Sequence, residues 1–141
     1  MTRVLIVDDH EFFRACMTNL VDASTDLAVA GQCGDGSEVC AAVTALQPDI
    51  VLMDLQMPRM SGLEAALALQ RAGASARVIM LSAEARAWCV QAACDHGARG
   101  YVLKGSGPAV VLDAVRHVAA GGTVWPPELV PAFRWPERQP S

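Results

Sequence analysis

Short apolar runs recur along the chain, and each breaks off at a polar residue. Val4-Leu5-Ile6-Val7 runs into Asp8-Asp9, Ile50-Val51-Leu52-Met53 into Asp54, Val78-Ile79-Met80-Leu81 into Ser82, and Tyr101-Val102-Leu103 into Lys104. Runs of this kind, without polar alternation, read as strands of a parallel sheet buried on both faces. They predict strands over 3–8, from residue 50, over 77–81 and over 100–103, with a weaker, Ala-containing strand over 27–32. Between them apolar residues return at helical spacing. Phe13, Cys16, Met17, Leu20 and Val21 mark a first helix, and Val39, Ala42, Val43 and Leu46 a second that Pro48-Asp49 stops. Ser61 and Glu64 fit a capping box at the start of a third helix, whose inner face is expected from Leu63, Ala66 and Leu67. An Ala-rich fourth helix is expected from about 84 to 96, closed by Gly97. Pro108 suits the first position of a last helix, which turns Val111, Ala114, Val115 and Val118 inward and ends at Gly121-Gly122.

Five strand–helix alternations with short connections imply an α/β fold, a three-layer sandwich with right-handed crossovers. The expected order of its five-stranded parallel sheet is 2-1-3-4-5, with the topological switch point between strands 1 and 3. Ligands of such sheets bind at the carboxyl ends of the strands. Asp8, Asp9 and Asp54 should meet there, flanked by Ser82 and Lys104.

Residues 121–141 differ in character. Five of the eight prolines fall there, and two tryptophans stand in Trp-Pro pairs. The pattern gives a folded unit over 1–120 and a Pro-rich linker or tail over 121–141. Trp125 and Trp135 could draw that tail back onto the domain for apolar contact.

With 141 residues the chain suffices for one domain with a real core. No apolar run approaches a membrane span, and no signal-peptide layout is present, so a cytoplasmic location is the default expectation and no membrane partner is expected. The net charge is −4 with no cluster of Lys or Arg, which argues against direct nucleic-acid binding by these residues. Cys16, Cys33, Cys40, Cys89 and Cys94 are scattered and lack C-x-x-C spacing. They read as small buried side chains rather than a redox or metal site.

Three crowded carboxylates repel. Two unit charges about 4 Å apart cost about 4 kcal/mol at an effective dielectric of 20. A raised pKa or a bound cation must offset this. An all-oxygen partial cage with room for water and phosphate suits Mg²⁺ better than Ca²⁺. The absence of a His–Cys set at ligand spacing disfavours zinc. His10 adjoins Asp9 but begins a helix, and reads as a surface or capping residue. A carboxylate can attack phosphorus to give an aspartyl phosphate. Asp54 ends the central strand and opens a loop, and is the best-placed nucleophile. Asp8 and Asp9 can hold the metal, Lys104 adds a second positive charge, and Ser82 can donate to a phosphate oxygen.

The motifs, in order, are Val-Asp-Asp-His at 7–10, Met-Asp-Leu-Gln-Met-Pro at 53–58, Ser61-Gly62, Leu81-Ser82-Ala83, and the run from Gly97 to Lys104. Over about residues 2–120 the chain resembles the receiver domain of bacterial two-component response regulators, a flavodoxin-like fold. The wording of residues 8–14 and of Ala119-Ala120-Gly121-Gly122 with Trp125 is most similar to the NarL/FixJ (LuxR-type) branch. The resemblance implies that Asp54 accepts phosphate from a histidine kinase. It implies that Asp8, Asp9, Asp54 and the backbone carbonyl of Gln56 form the Mg²⁺ site. It also implies that Ser82 and Tyr101 are a switch pair, Tyr101 turning inward on phosphorylation, with output through the face of the fourth helix, fifth strand and fifth helix. A homodimer on phosphorylation is a further expectation, as is DNA contact only through a C-terminal domain beyond this chain.

Two positions depart from the commonest family pattern. Gly105 follows Lys104 where many receivers have Pro, and the switch hydroxyl is Ser rather than Thr. Gln56 and Glu84 occupy positions that tune phosphate lifetime in the family. Trp88 in the fourth-helix segment is expected to be partly exposed and to serve an interface; packing into the core is the other reading.

Two other functions compete. An aspartate-nucleophile phosphatase would resemble its class in carrying an acid two residues after the nucleophile, where this chain has Gln56. A structural receiver would need a degraded acid site, yet Asp8, Asp9, Asp54, Ser82 and Lys104 are all present. The chain is expected to act as a signalling phosphoacceptor rather than an enzyme, and to be the receiver portion of a transcription regulator. A stand-alone receiver, working by protein–protein contact or as a phosphate sink, is the alternative.

Overall fold

In a computed structural model, which describes residues 1–132, five strands and five helices alternate along the chain. They are β1 (Thr2–Val7), α1 (Glu11–Asp22), β2 (Leu27–Cys33), α2 (Val39–Leu46), β3 (Ile50–Asp54), α3 (Gly62–Arg71), β4 (Arg77–Ser82), α4 (Ala87–Asp95), β5 (Gly100–Leu103) and α5 (Pro108–Ala119). All strands pair in parallel in the order β2-β1-β3-β4-β5, as the sequence predicts.

The unbroken apolar runs have a simple cause. Side chains alternate across a strand, and here both faces are covered. One face packs Leu5, Val7, Val51, Met53, Val78, Met80 and Tyr101 against buried residues of α2, α3 and α4. The other packs Val4, Ile6, Ile50, Leu52, Ile79, Leu81 and Val102 against α1 and α5. Burial of each such side chain contributes about 1.5–3 kcal/mol, so an Ile79→Ala change in the centre of the sheet would cost about 2–5 kcal/mol. β2 is an edge strand with intermediate burial, and its register against β1 shifts between Val4 and Leu5.

Several helices differ from expectation in detail. The inner face of α3 is Gly62, Ala65, Ala66 and Leu69; Ala66 lies there as expected, but Ala65 and Leu69 take the places expected of Leu63 and Leu67. Small alanines let the helix lie close to the sheet, while Leu63 and Leu67 stand at its flanks, half-buried. Ser61 does cap α3, its hydroxyl accepting from the Glu64 N–H at 3.1 Å. α4 begins at Ala87 rather than near 84. Glu84 is held in the preceding loop, its N–H donating to Ser82 Oγ and its carbonyl accepting from the Tyr101 hydroxyl.

Beyond α5 the chain does not leave the domain at once. Val124 makes a parallel bridge to Gly100 at the start of β5. The Tyr101 N–H donates to the Val124 carbonyl at 2.8 Å, and the Val124 N–H to the Arg99 carbonyl at 3.1 Å. Trp125 and Leu129 then pack against the core cluster that α2, α3 and α4 share on that face of the sheet. A 3₁₀ turn covers Pro127–Ala132, and Trp135 lies outside the described residues. No helix among the described residues is long and apolar enough to cross a membrane.

Candidate functional site

Register places the acids. Val7 of β1 pairs with Met53 of β3, so the next residues, Asp8 and Asp54, stand together at the carboxyl edge of the sheet. Ser82 ends β4, and Lys104 follows β5. The site residues Asp8, Asp9, Asp54, Ser82 and Lys104 thus converge, as expected. Asp9, Asp54, Gln56, Ser82 and Lys104 line one pocket of about 620 Å³, to which Met57, Pro58, Trp88 and Cys89 also contribute.

Asp54 is only 6% exposed and Asp8 1%. Lys104 Nζ lies 2.8 Å from Asp8 Oδ2 and 3.4 Å from Asp54 Oδ2. Asp8 Oδ1 accepts from the His10 N–H at 2.8 Å, and the Asp8 carbonyl accepts from Arg14 at 2.6 Å. Burial pushes the Asp54 carboxyl up to about 6; Lys104 opposes the shift, while the neighbouring Asp8 and Asp9 add to it. The folded site therefore holds a proton on this carboxyl more readily than a free aspartate would, and a cation beside it would oppose that.

The acids fit a divalent cation. Asp8 Oδ2 and Asp9 Oδ1 are shut off from solvent and receive no hydrogen bond of good geometry. What faces them is the Lys104 ammonium and, 3.3 Å from Asp9 Oδ1, the imidazole Nδ1 of His10. One ligand atom each from Asp8, Asp9, His10 and Asp54 lies within 4.8 Å of the others. His10 occupies the N-cap position of α1 without a side-chain capping bond, and its side chain is 72% exposed. It is a surface residue leaning on the acids.

Two backbone features hold Asp54 in place. The Leu55 N–H donates to the Leu81 carbonyl at 3.0 Å, and the Gly62 N–H to the Leu55 carbonyl at 2.8 Å. A Cβ at Gly62 would run into the Asp54 carbonyl oxygen, so the start of α3 can close on the strand end only with glycine there.

Tyr101 is buried, and its hydroxyl donates to the Glu84 carbonyl at 2.7 Å. Burial raises its phenol above the ordinary value, with Ser82 opposing the shift. The ring is therefore already turned inward in this structure.

These features have relatives. A family model described as the response regulator receiver domain matches residues 4–116. The chain belongs to the response regulator receiver family. This receiver is 38% identical over 123 residues to the nitrate/nitrite response regulator protein NarP of Escherichia coli, covering 87% of this chain and 57% of NarP. It is 34% identical over 132 residues to the response regulator protein VraR of Staphylococcus aureus, covering 94% of this chain and 63% of VraR. Among solved structures it is similar to the receiver domain of the NarL regulator of Mycobacterium tuberculosis, with a TM-score of 0.82 and 32% identity over 85% of this chain and 97% of that one. A LuxR-family regulator of Aurantimonas superposes with a TM-score of 0.86 and 30% identity over 93% of this chain and 94% of that one. The receiver thus spans little more than half the length of the curated relatives it matches.

Sequence reasoning missed two residues of this receiver. Asp35 is a buried carboxylate that accepts from the N–H groups of Ser37, Arg59 and Met60 at 2.9, 3.1 and 3.2 Å. It ties the loop after β2 to the loop after β3. The Asp-Gly-Ser run at 35–37 is a turn signal that could have revealed it. The spacing of Phe13 marks only a helix-face residue, yet its ring lies under Lys104 Nζ, 4.5 Å from centroid to nitrogen. Cys33, Cys89 and Cys94 are buried as expected, whereas Cys16 and Cys40 are only half-buried; burial pushes the Cys33 thiol up to about 11. Trp88 is 63% exposed, in line with the partly exposed reading.

Proposed function

We propose that this receiver accepts a phosphoryl group on Asp54 and passes the event on as a signal. The observation that carries the reading is one buried carboxylate at the end of the central strand, with two further acids beside it and a lysine ammonium that reaches both Asp8 and Asp54. The Asp54 oxygen attacks phosphorus. An O–P bond forms as the P–N bond of a histidine kinase's phosphohistidine breaks, and the bonding pair returns to the imidazole nitrogen. Lys104 meets the charge on the phosphoryl oxygens, and Ser82 donates to one of them.

Magnesium would be held by Asp8, Asp9, Asp54 and the Gln56 backbone carbonyl, supplying positive charge against the transferring group. Asp54 must be ionised to attack, and its elevated pKa makes a nearby cation doubly useful.

The chain works as a signalling phosphoacceptor and not as an enzyme on free substrates, since Gln56 stands where a hydrolytic acid would be needed. Ser82 and Tyr101 act as the switch, and the α4–β5–α5 face carries the output. In the whole protein that output is transcriptional, through a DNA-binding domain and a phosphorylation-dependent homodimer.

The decisive experiment is incubation with acetyl phosphate, with and without Mg²⁺, followed by intact mass measurement. One phosphoryl should be gained, only with Mg²⁺, and Asp54→Asn should abolish it. Labelling that survives in Asp54→Asn would identify another acceptor and defeat the proposal.

A further inference from the structure

We propose that Phe13 is a positioning residue for phosphoryl transfer, its ring face holding the Lys104 ammonium over the acid pocket. The inference rests on the phosphoacceptor reading above and deepens it.

Lys104 has little to fix it from its own backbone. It opens a three-residue 3₁₀ turn, Lys104–Ser106, that contains Gly105 and is followed by Gly107 at φ +96°. Nothing lies within 4 Å of where a Cβ would stand on either glycine. The side chain is nevertheless only 17% exposed, and its nitrogen has two kinds of neighbour. Asp8 and Asp54 lie at 2.8 and 3.4 Å. The nitrogen also lies over the face of the Phe13 ring, 4.5 Å from its centroid.

Phe13 can serve as a platform because it is itself braced. It sits on α1, half-buried, with its body packed against the cluster that α1 and α5 form on the sheet. An aromatic face attracts an ammonium through its quadrupole. It does so without adding a further carboxylate to a site that already holds three. A lysine held only by acids would follow whichever acid was free. One held also by a neutral ring keeps its place when Asp54 becomes esterified.

The test uses the full chain with Phe13 replaced by mono-, di- and trifluorophenylalanine. These keep the ring's shape and weaken the potential of its face. Acetyl phosphate labelling of Asp54 is timed at fixed Mg²⁺, and Mg²⁺ affinity and Tm are measured on the same proteins. The labelling rate should fall stepwise with fluorination, by about fivefold over the series, while Mg²⁺ affinity and Tm stay at parent values. Phe13→Leu should match the trifluoro protein, and Phe13→Trp should recover the parent rate. A flat series, or a rate that falls only in step with Tm, would overturn the positioning role and leave Phe13 as a core residue. A parent chain that takes no label on Asp54 would instead overturn the phosphoacceptor reading, and this inference with it.

Discussion

The hydroxyl of Tyr101 donates to the carbonyl oxygen of Glu84, 2.7 Å away and 17 residues earlier in the chain. The bond joins β5 to the loop between β4 and α4. It also explains why α4 starts three residues later than its Ala-rich sequence suggests. Tyr101→Phe should leave the fold intact and cost about 1 kcal/mol. Amide exchange at residues 83–87 should accelerate selectively. Unchanged exchange there would mean that the hydroxyl does not hold the loop.

Gly62 should tolerate no side chain. The first added carbon meets the Asp54 carbonyl oxygen, which is strand backbone and cannot swing away. Gly62→Ala is expected to destabilise by about 1–3 kcal/mol, as overpacked sites do. If Asp54 is the phosphoacceptor, it should also slow Asp54 labelling beyond what the stability loss explains, because the Asp54 peptide is displaced. Urea melts and acetyl phosphate kinetics on one preparation would separate the two effects.

Asp54 should make the protein less stable at neutral pH than it would be without that charge. Its folded pKa, about 6, lies above the ordinary 3.8, so the folded chain binds a proton more tightly than the unfolded one. Stability therefore falls as pH rises from about 4 to about 6, and the deficit persists above that window. Asp54→Asn should melt higher than the parent at pH 7.5 in EDTA, and the gap should close toward pH 4. Equal melting at both pH values would contradict the burial effect.

Asp35 should act with the opposite sign. Hydrogen bonds from backbone N–H groups, first among them that of Ser37, hold its carboxyl down at about 2, below the ordinary 3.8. Its contribution is fully present above pH 4 and is lost as pH falls toward 2. Asp35→Asn should lower Tm at neutral pH, with the difference narrowing in acid. Scanning calorimetry between pH 2 and pH 7 would show it.

What the sequence revealed and what it hid have physical causes. Apolar runs such as Val51-Leu52-Met53 were legible because a strand buried on both faces has no polar alternation to blur it. The acid pocket was legible because Asp8, Asp54, Ser82 and Lys104 each sit at a strand's carboxyl end, where topology gathers them. The inner face of α3 was misread because Ala65 announces little, while Leu63 and Leu67 draw the eye to the flanks. The late start of α4 depends on two hydrogen bonds of Glu84, its N–H donating to Ser82 Oγ and its carbonyl accepting from the Tyr101 hydroxyl, and helix propensity carries no trace of them. Phe13 looked like core because its spacing is that of core. Only the three-dimensional position of Lys104 gives the ring its second task.

Tyr101 has two separate attachments: its ring reaches toward Glu84, and its main-chain N–H grips Val124. A side chain pivots about its Cα–Cβ bond without dragging its own peptide along. Turning the ring would therefore undo the tie to Glu84 and leave the strap at Val124 fastened.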